Sequence, residues 1–533
     1  MPPFEFLTPR RPRPVPLVEL ARVAGATVVG DAGDVTVTNV AVSGAELRPG
    51  GLFAALPGRR AHGAEHWSQA RDSGAVAVLT DRAGLRLLPR DDVRGDGVPV
   101  LVVDDPRAVL GRVAARVSGT DRHVPQLFGV TGTNGKTTTV HLLDAVLDQL
   151  GVPAGLSSTA DRRSGSATVV SRLTSPEAPE LHALLARMVE DGVRAAALEV
   201  SAQALTHHRV DGLVLDVAGF TGLSHDHLDE YASMDDYLEA KLALFTPEHA
   251  RVGVVLLDSP AGRVVRDRAT IPVTTVSSVH GVPADWTVTV LAATHEGTRF
   301  ALCGPAGQEV VTTVPLVGRH MAADAGLALV MLLEAGHDLD RLQEALEDGV
   351  RVSIPGRTEL QSGPDGPRLY TDFSHTPDSV EKTLAALRAV TPGRLVVIVG
   401  ADGEKDATKR GPMGRAAAEG ADLVIVTDHH QRFEDPARIR RALLDGAHAV
   451  RRDDVLEVPD PSEAVRTAVA RTTTGDTILW VGPGHIDYRI VRGVDTPYSP
   501  RDDARRALVE AGWSPPPPRT PSVRAPERAR STR

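Results

Sequence analysis

The chain reads as an α/β protein built on parallel sheets, and three observations lead there. Short apolar runs that fit buried strands alternate with stretches whose apolar residues recur at helical spacing. A glycine-rich loop joins one such strand directly to one such helix. Farther along, Leu395–Val399, Leu423–Thr427 and Thr477–Val481, separated by helical stretches, read as strands of a Rossmann-like sheet.

Composition narrows the class. The chain has 533 residues, enough for three or four domains that each bury a core. Its 42% hydrophobic and 24% charged residues are ordinary for soluble globular protein. Acidic residues outnumber basic ones 69 to 59, for a net charge of −10, and no stretch in the body of the chain concentrates Lys and Arg. That argues against nucleic acid as a partner. The single cysteine, Cys303, makes neither an internal disulfide nor a zinc cluster, which fits a reducing cytoplasm. No run of 18 apolar residues occurs, and residues 1–16 lack the apolar core of an export signal, so neither export nor a membrane span is expected.

Taken in order, residues 1–16 and 514–533 are rich in Pro, Arg and Ser and are expected to be mobile tails. Residues 17–124 read as a small α/β domain, with a helix over Leu17–Ala24, a strand near Val35–Val42 and an apolar run at Leu52–Leu56. Residues 125–352 hold the glycine loop. Gln126–Val130 reads as a buried strand, and Val140, Leu143, Val146, Leu147 and Leu150 mark a helix that Gly151 stops. Between them Gly132 and Gly135 let the backbone approach an anion at a helix N-terminus, with Lys136 placed for terminal phosphates and the Thr137 hydroxyl for Mg²⁺. The general phosphate-loop pattern has glycine where Val130 stands.

Beyond the loop, Ala195–Leu198 is an apolar strand that delivers Glu199 at its C-terminal end, where open parallel sheets bind ligands. Val214–Phe220 is another, followed by His225-Asp226-His227-Leu228-Asp229. Met234–Phe245 reads as an amphipathic helix capped by Ser233 or Asp235. Lys241 on it, taken alone, reads as a surface lysine. Residues 353–513 carry the Rossmann-like sheet; its adjacent His429 and His430 have no third metal ligand nearby in the sequence.

The stretch Gly129-Val130-Thr131-Gly132-Thr133-Asn134-Gly135-Lys136-Thr137-Thr138 resembles the ATP loop of the Mur ligases, which make the peptide of the bacterial cell wall. Further matches run from Leu17 to about Gly512 and point to the MurE type. Arg48-Pro49-Gly50-Gly51-Leu52-Phe53 resembles the domain where UDP sits, although Ser43-Gly44-Ala45 stands where the family has Asp-Ser-Arg. Leu173-Thr174-Ser175-Pro176-Glu177, Glu199-Val200-Ser201, Arg209-Val210-Asp211-Gly212 and Thr221–Asp229 match in the central region. There Gln203, Gly222, Met321 and Asp324 replace a histidine and three asparagines of the family. Ile354-Pro355-Gly356-Arg357, Asp372–Asp378 and Gly400–Gly403 with Asp406–Arg410 match in the last domain. His429-His430-Gln431-Arg432 and Gly482-Pro483-Gly484-His485-Ile486-Asp487 stand for Asp-Asn-Pro-Arg and Gly-Lys-Gly-His-Glu-Asp, segments that select the incoming amino acid in the family.

The resemblance implies a P-loop ATPase central domain, a UDP-substrate domain before it and an amino-acid-binding domain after it. It implies a cytoplasmic, monomeric amide ligase that phosphorylates a carboxylate with ATP and lets an amine attack the acyl phosphate. Its partners would be a UDP-linked muramoyl peptide and an amino acid, with no nucleic acid or membrane. ATP would lie on Gly132, Thr133, Asn134, Gly135, Lys136, Thr137 and Thr138, with Arg357 and Asp372 arriving from the last domain. Mg²⁺ would be held by Thr137, Glu199, His227 and Lys241, the lysine having become a carbamate with CO₂. Substrate would meet Thr174, Ser175, Ser201, His207, Arg209, Arg432 and Asp487. Rival readings are a paralogue joining an amino acid to another carboxylate in specialised metabolism, and a non-catalytic nucleotide-binding homologue. Arg432 keeps a cation for the far end of a diaminopimelate acceptor while Ile486 removes the acidic partner. A less cationic amino acid is therefore expected, unless Asp487 substitutes.

Overall fold

The computed structural model describes residues 7–58, 61–93 and 97–514. The chain divides into two compact units, the division falling between Ile354 and Pro355. No helix among the described residues is long and apolar enough to cross a membrane.

The first unit is organised on a mixed sheet of 11 strands among the described residues. At its centre Ala154–Ser157, Ala195–Glu199, Gln126–Thr131, Leu215–Phe220, Ala250–Leu256 and Val273–Ser277 run parallel in that order. These strands are nearly continuous apolar runs because both faces are covered. On one face lie the helix Lys136–Gln149, through Val140, Leu143 and Val146, and the helix Arg319–Glu334. On the other lie Ala178–Glu190 and Met234–Leu242, through Leu184, Met188, Leu238 and Leu242. Ser233 caps the second of these by accepting Asp236 N–H, so Ser233 rather than Asp235 is the cap.

A smaller five-stranded sheet belongs to the same unit and includes Asn39–Ala41, Gly51–Ala54, Ala75–Thr80 and Val100–Val102, all parallel. The strand expected at 35–42 is split at Thr38. Thr36–Val37 pairs antiparallel with Val15–Pro16, and Asn39–Ala41 joins the five-stranded sheet.

Residues 7–16, expected as part of a mobile tail, are held. Leu7 is buried, Glu190 accepts the backbone N–H groups of Arg10 and Arg11 at 2.7 and 3.0 Å, and the Arg10 guanidinium meets Asp191. A low apolar content did not free this segment because helix Ala178–Glu190 ends in carboxylates that take its donors. At the other end Ser514 donates to Asp365, while 1–6 and 515–533 lie outside the described residues.

The second unit has a six-stranded sheet in the order Glu359–Leu360, Arg368–Asp372, Thr477–Val481, Leu395–Val399, Leu423–Val426 and Val455–Glu457, parallel except for the first pair. Its strands deliver their following loops to one edge. The loop after Leu395–Val399 is flanked by those after Thr477–Val481 and Leu423–Val426.

Candidate active site

The glycine loop follows its strand as the sequence predicts. Gly135 caps the next helix at φ 89°, and Gly132 has φ 146°, both in the region that favours glycine. A Cβ on Gly132 would fall 1.9 Å from Thr221 Oγ, and one on Gly135 would fall 2.6 Å from Asp324. The loop is tied to its neighbours: Thr133 N–H donates to Gly222 O at 2.9 Å, Thr221 Oγ to Asn134 O at 2.5 Å and Asn134 Nδ2 to Ser224 Oγ at 3.1 Å. Thr137 and Thr138 are buried at the start of the helix.

Two lysines converge on this loop. Lys136 Nζ donates to Gly132 O and Thr133 O, both at 2.9 Å, and Lys241 Nζ donates to the same Gly132 O at 2.8 Å. Lys241 is not the surface lysine its helix suggested: it is 1% exposed, over the Tyr237 ring. The turn of the helix that carries it faces the loop and the packed core. Burial, and then the charge of Lys136, hold the pKa of its amine well below the usual lysine value, which favours the neutral form. A neutral amine is the form that attacks CO₂.

Glu199 stands in register with Val130, at the base of the loop. Its oxygens accept Thr159 N–H at 2.7 Å and Thr159 Oγ at 3.0 Å, and Thr159 Oγ also reaches Thr174 Oγ at 3.1 Å. Ser175 Oγ donates to Glu199 O at 2.8 Å and accepts Ser201 N–H at 3.0 Å, while Ser201 caps the short helix that ends before His207. Arg209 meets Glu177, which Arg107 also holds. Burial lowers the pKa of His207. His227 has φ 59°, and its Nδ1 accepts Gln203 Nε2 at 3.1 Å, an amide fixed by its second contact to Glu230 at 2.9 Å.

The Thr137 hydroxyl, the Glu199 carboxylate and the His227 imidazole could hold Mg²⁺. The Lys241 amine fits that set only after gaining a carboxylate, since hard cations take oxygen ligands. Thr159, Thr221, Tyr237 and Gln203 complete the arrangement through contacts that the sequence did not name. A cavity of about 1330 Å³ also opens in this unit; Glu46 and Glu177 help to line it, and no phosphate-loop residue does.

Two replaced positions have structural reasons. A Cβ on Gly44 would fall 2.8 Å from Ala70 N and 3.1 Å from Gln69 C, so the helix Trp67–Asp72 leaves no room for the family's serine. Gly222 sits at φ 138°, which an asparagine would adopt only with strain.

In the second unit the Arg357 guanidinium lies over the Phe373 ring at 4.6 Å. Asp372 is buried, and each of its oxygens already accepts two hydrogen bonds, from Thr358 N and Oγ and from Ser374 N and Oγ. It organises the chain around Arg357. Arg432 has φ 53°, and its guanidinium lies 3.5 Å from Asp402. Asp487 is engaged by Ser499 Oγ at 2.9 Å and Arg501 at 2.6 Å.

The structure also brings Asp402 to the histidine pair, which the sequence had left without a third acidic or metal-binding neighbour. Asp402 Oδ1 takes a hydrogen bond of 2.7 Å from His429 Nδ1. Burial would raise the Asp402 carboxyl, but that bond and the surrounding charges hold it well below its usual value. Burial pushes His430 down to about 3.

Comparison with known proteins covers all of these regions. Residues 130–332 match the Mur ligase middle domain, 356–484 the Mur ligase glutamate ligase domain, and 36–118 the Mur ligase family catalytic domain. The chain is 54% identical to a UDP-N-acetylmuramyl-tripeptide synthetase of Leifsonia xyli subsp. xyli, over 95% of this chain and 98% of that one. It is 39% identical to a UDP-N-acetylmuramoyl-L-alanyl-D-glutamate–2,6-diaminopimelate ligase of Streptomyces coelicolor, over 94% and 98%. A solved structure of another such diaminopimelate ligase has the same fold, with a TM-score of 0.62 and 24% identity over 93% of this chain and 99% of that one.

Proposed function

Because the chain belongs to the Mur ligase family, we propose that it joins an amino acid to UDP-MurNAc-L-Ala-D-Glu in an ATP-dependent reaction, through an acyl phosphate on that nucleotide's carboxylate. The observation that carries this reading is the convergence of Lys136 and a buried Lys241 on one carbonyl of the phosphate loop. A loop that only bound nucleotide would have no use for the second lysine.

The residues divide the work. Gly132 and Gly135 bring the loop's N–H groups up to the phosphates, and Lys136 turns from the loop carbonyls to the transferring phosphoryl group. In the second unit Arg357 is a further cation, steadied by Phe373 and by the hydrogen bonds that Asp372 collects. Thr137, Glu199, His227 and a carbamylated Lys241 would hold Mg²⁺, which would supply neutralisation of phosphate charge. Thr159 fixes the Glu199 carboxylate, and Gln203 fixes the His227 ring. Thr174, Ser175, Ser201, His207 and Arg209 would meet the substrate that is to be activated. Gly44 is demanded by helix packing, so its departure from the family does not favour another substrate.

The test is phosphate release from ATP, required to depend on both the nucleotide and an amino acid. Lys136→Ala should lower it by roughly a hundredfold or more. Turnover unchanged in that variant, or independent of the nucleotide, defeats the reading.

A further inference from the structure

Three neighbouring strands of the second unit send loops to one edge of its sheet, and the middle loop carries a carboxylate between two segments that depart from the family pattern. Leu395–Val399, which leads to Asp402, lies between Thr477–Val481, which leads to Ile486, and Leu423–Val426, which leads to His429, His430 and Arg432. Gly403 N–H donates to His430 O at 2.8 Å and locks two of these loops together.

The ligand atoms of Asp402, His429 and His430 lie within 4.8 Å of one another, a spacing open to a metal ion. The hydrogen bonds speak against it. His430 accepts Ile490 N–H on Nδ1 at 3.0 Å, which puts the ring proton of the neutral imidazole on Nε2 and leaves no lone pair for a metal. Arg432 stands beside Asp402, and Arg489 reaches the carbonyl of His429.

We propose that Asp402 is the carboxylate that reads the far end of the incoming amino acid, and that it selects an acceptor carrying an ammonium there. This rests on the ligase reading above. Asp402 is hydrogen-bonded through one oxygen and ion-paired, without a hydrogen bond among the described residues, through the other. Oδ1 is fixed by His429, whereas Oδ2 accepts no hydrogen bond among the described residues and only faces Arg432 at 3.5 Å. The side chain is 30% exposed, reachable but partly desolvated. His429 Nε2 likewise has no partner among the described residues. The acidic group absent at Ile486 is therefore supplied from the adjacent loop. Asp487 does not supply it, because Ser499 and Arg501 hold it. An ammonium donating to Oδ2 would gain a charge-assisted bond where isoleucine offers none.

Two matched pairs isolate the ammonium: lysine against norleucine, and 2,6-diaminopimelate against 2-aminopimelate. With the full chain, kcat/KM for each ammonium-bearing member should exceed that of its counterpart at least tenfold. Asp402→Asn should shrink both ratios at least tenfold. Asp402→Glu should keep part of them, and adding Ile486→Glu to Asp402→Asn should restore them. Equal use of norleucine and lysine by the unaltered enzyme overturns the proposal without needing any variant to fold. Ratios unmoved in a folded Asp402→Asn overturn it too. Calorimetric titration of lysine and norleucine separates the two readings. Lysine binding that depends on Asp402 without turnover on UDP-MurNAc-L-Ala-D-Glu defeats the ligase reading and leaves this one standing. Turnover that ignores the ammonium does the reverse.

Discussion

The phosphate loop of the first unit and the charged loop cluster of the second are both built at the C-terminal edge of a parallel sheet, but they are assembled differently. The first is local: strand, loop and helix follow one another within Gln126–Gln149, and the groups that join them come on separate elements, Glu199 on a strand paired with the loop's own and Lys241 bonded to Gly132 O. The second has no contiguous core. Asp402, His429, Arg432 and Ile486 arrive on three loops that only the strand order brings together. A local site tolerates little change, because each glycine and lysine is fixed by chain geometry. A site shared among loops can move a charge from one loop to the next and keep the same chemistry.

The sharpest break in that comparison would come at Lys241, one of the groups of the first site that are not local. Lys241→Ala should lose activity by about a hundredfold or more, the scale expected when a ligand that neutralises phosphate charge is removed. A short carboxylate such as acetate should restore part of it, by taking the place of the carbamate oxygens. Phosphate-release assays with and without acetate, and with CO₂ depleted, check this. Full activity of Lys241→Ala without additive would show that the buried amine serves only packing.

The same division explains what could be read from the sequence. The strands, the loop and the central helices were legible because their apolar periods are long and both faces of the sheet are covered. Lys241 was legible only through the spacing of a motif; by helical pattern alone it belongs to the polar face, and its burial follows from a tertiary contact with Gly132. Asp402 was not legible as a partner of His429, since 27 residues separate them and the sheet order that joins them is not written in either loop. The hold on residues 7–16 was missed for the same reason: Pro and Arg content says nothing about carboxylates at the end of a distant helix.

Within the second unit, Asp372 and Arg357 separate structure from chemistry. Asp372→Ala leaves four donors of Thr358 and Ser374 without their acceptor in a buried place. It should destabilise that unit by about 3 kcal/mol, the scale for losing hydrogen bonds to a buried charge. Arg357→Ala removes a partly buried guanidinium stacked on Phe373 and should change denaturant stability much less while lowering turnover. Chemical denaturation followed beside activity distinguishes them. An Asp372→Ala protein as stable as the parent would mean that its carboxylate is there for a ligand.

The smallest effect concerns Gly44, and it asks whether a departure from the family pattern is functional or steric. The Cβ of a serine there would lie 2.8 Å from Ala70 N and 3.1 Å from Ala70 Cα, both backbone atoms of the helix Trp67–Asp72 that cannot turn aside as a side chain can. Gly44→Ser must therefore shift the turn at Ser43–Glu46 or the helix, and a forced fit of this size costs about 1–2 kcal/mol. If the serine were instead a missing nucleotide contact, restoring it would tighten binding of UDP-MurNAc-L-Ala-D-Glu and leave stability alone. The expected outcome is a modest fall in stability with no gain in nucleotide affinity, measured by denaturation and by calorimetric titration on the same preparation. Tighter binding at unchanged stability would show that the first unit, too, can exchange contacts between neighbouring elements, and would remove the contrast between the two sites.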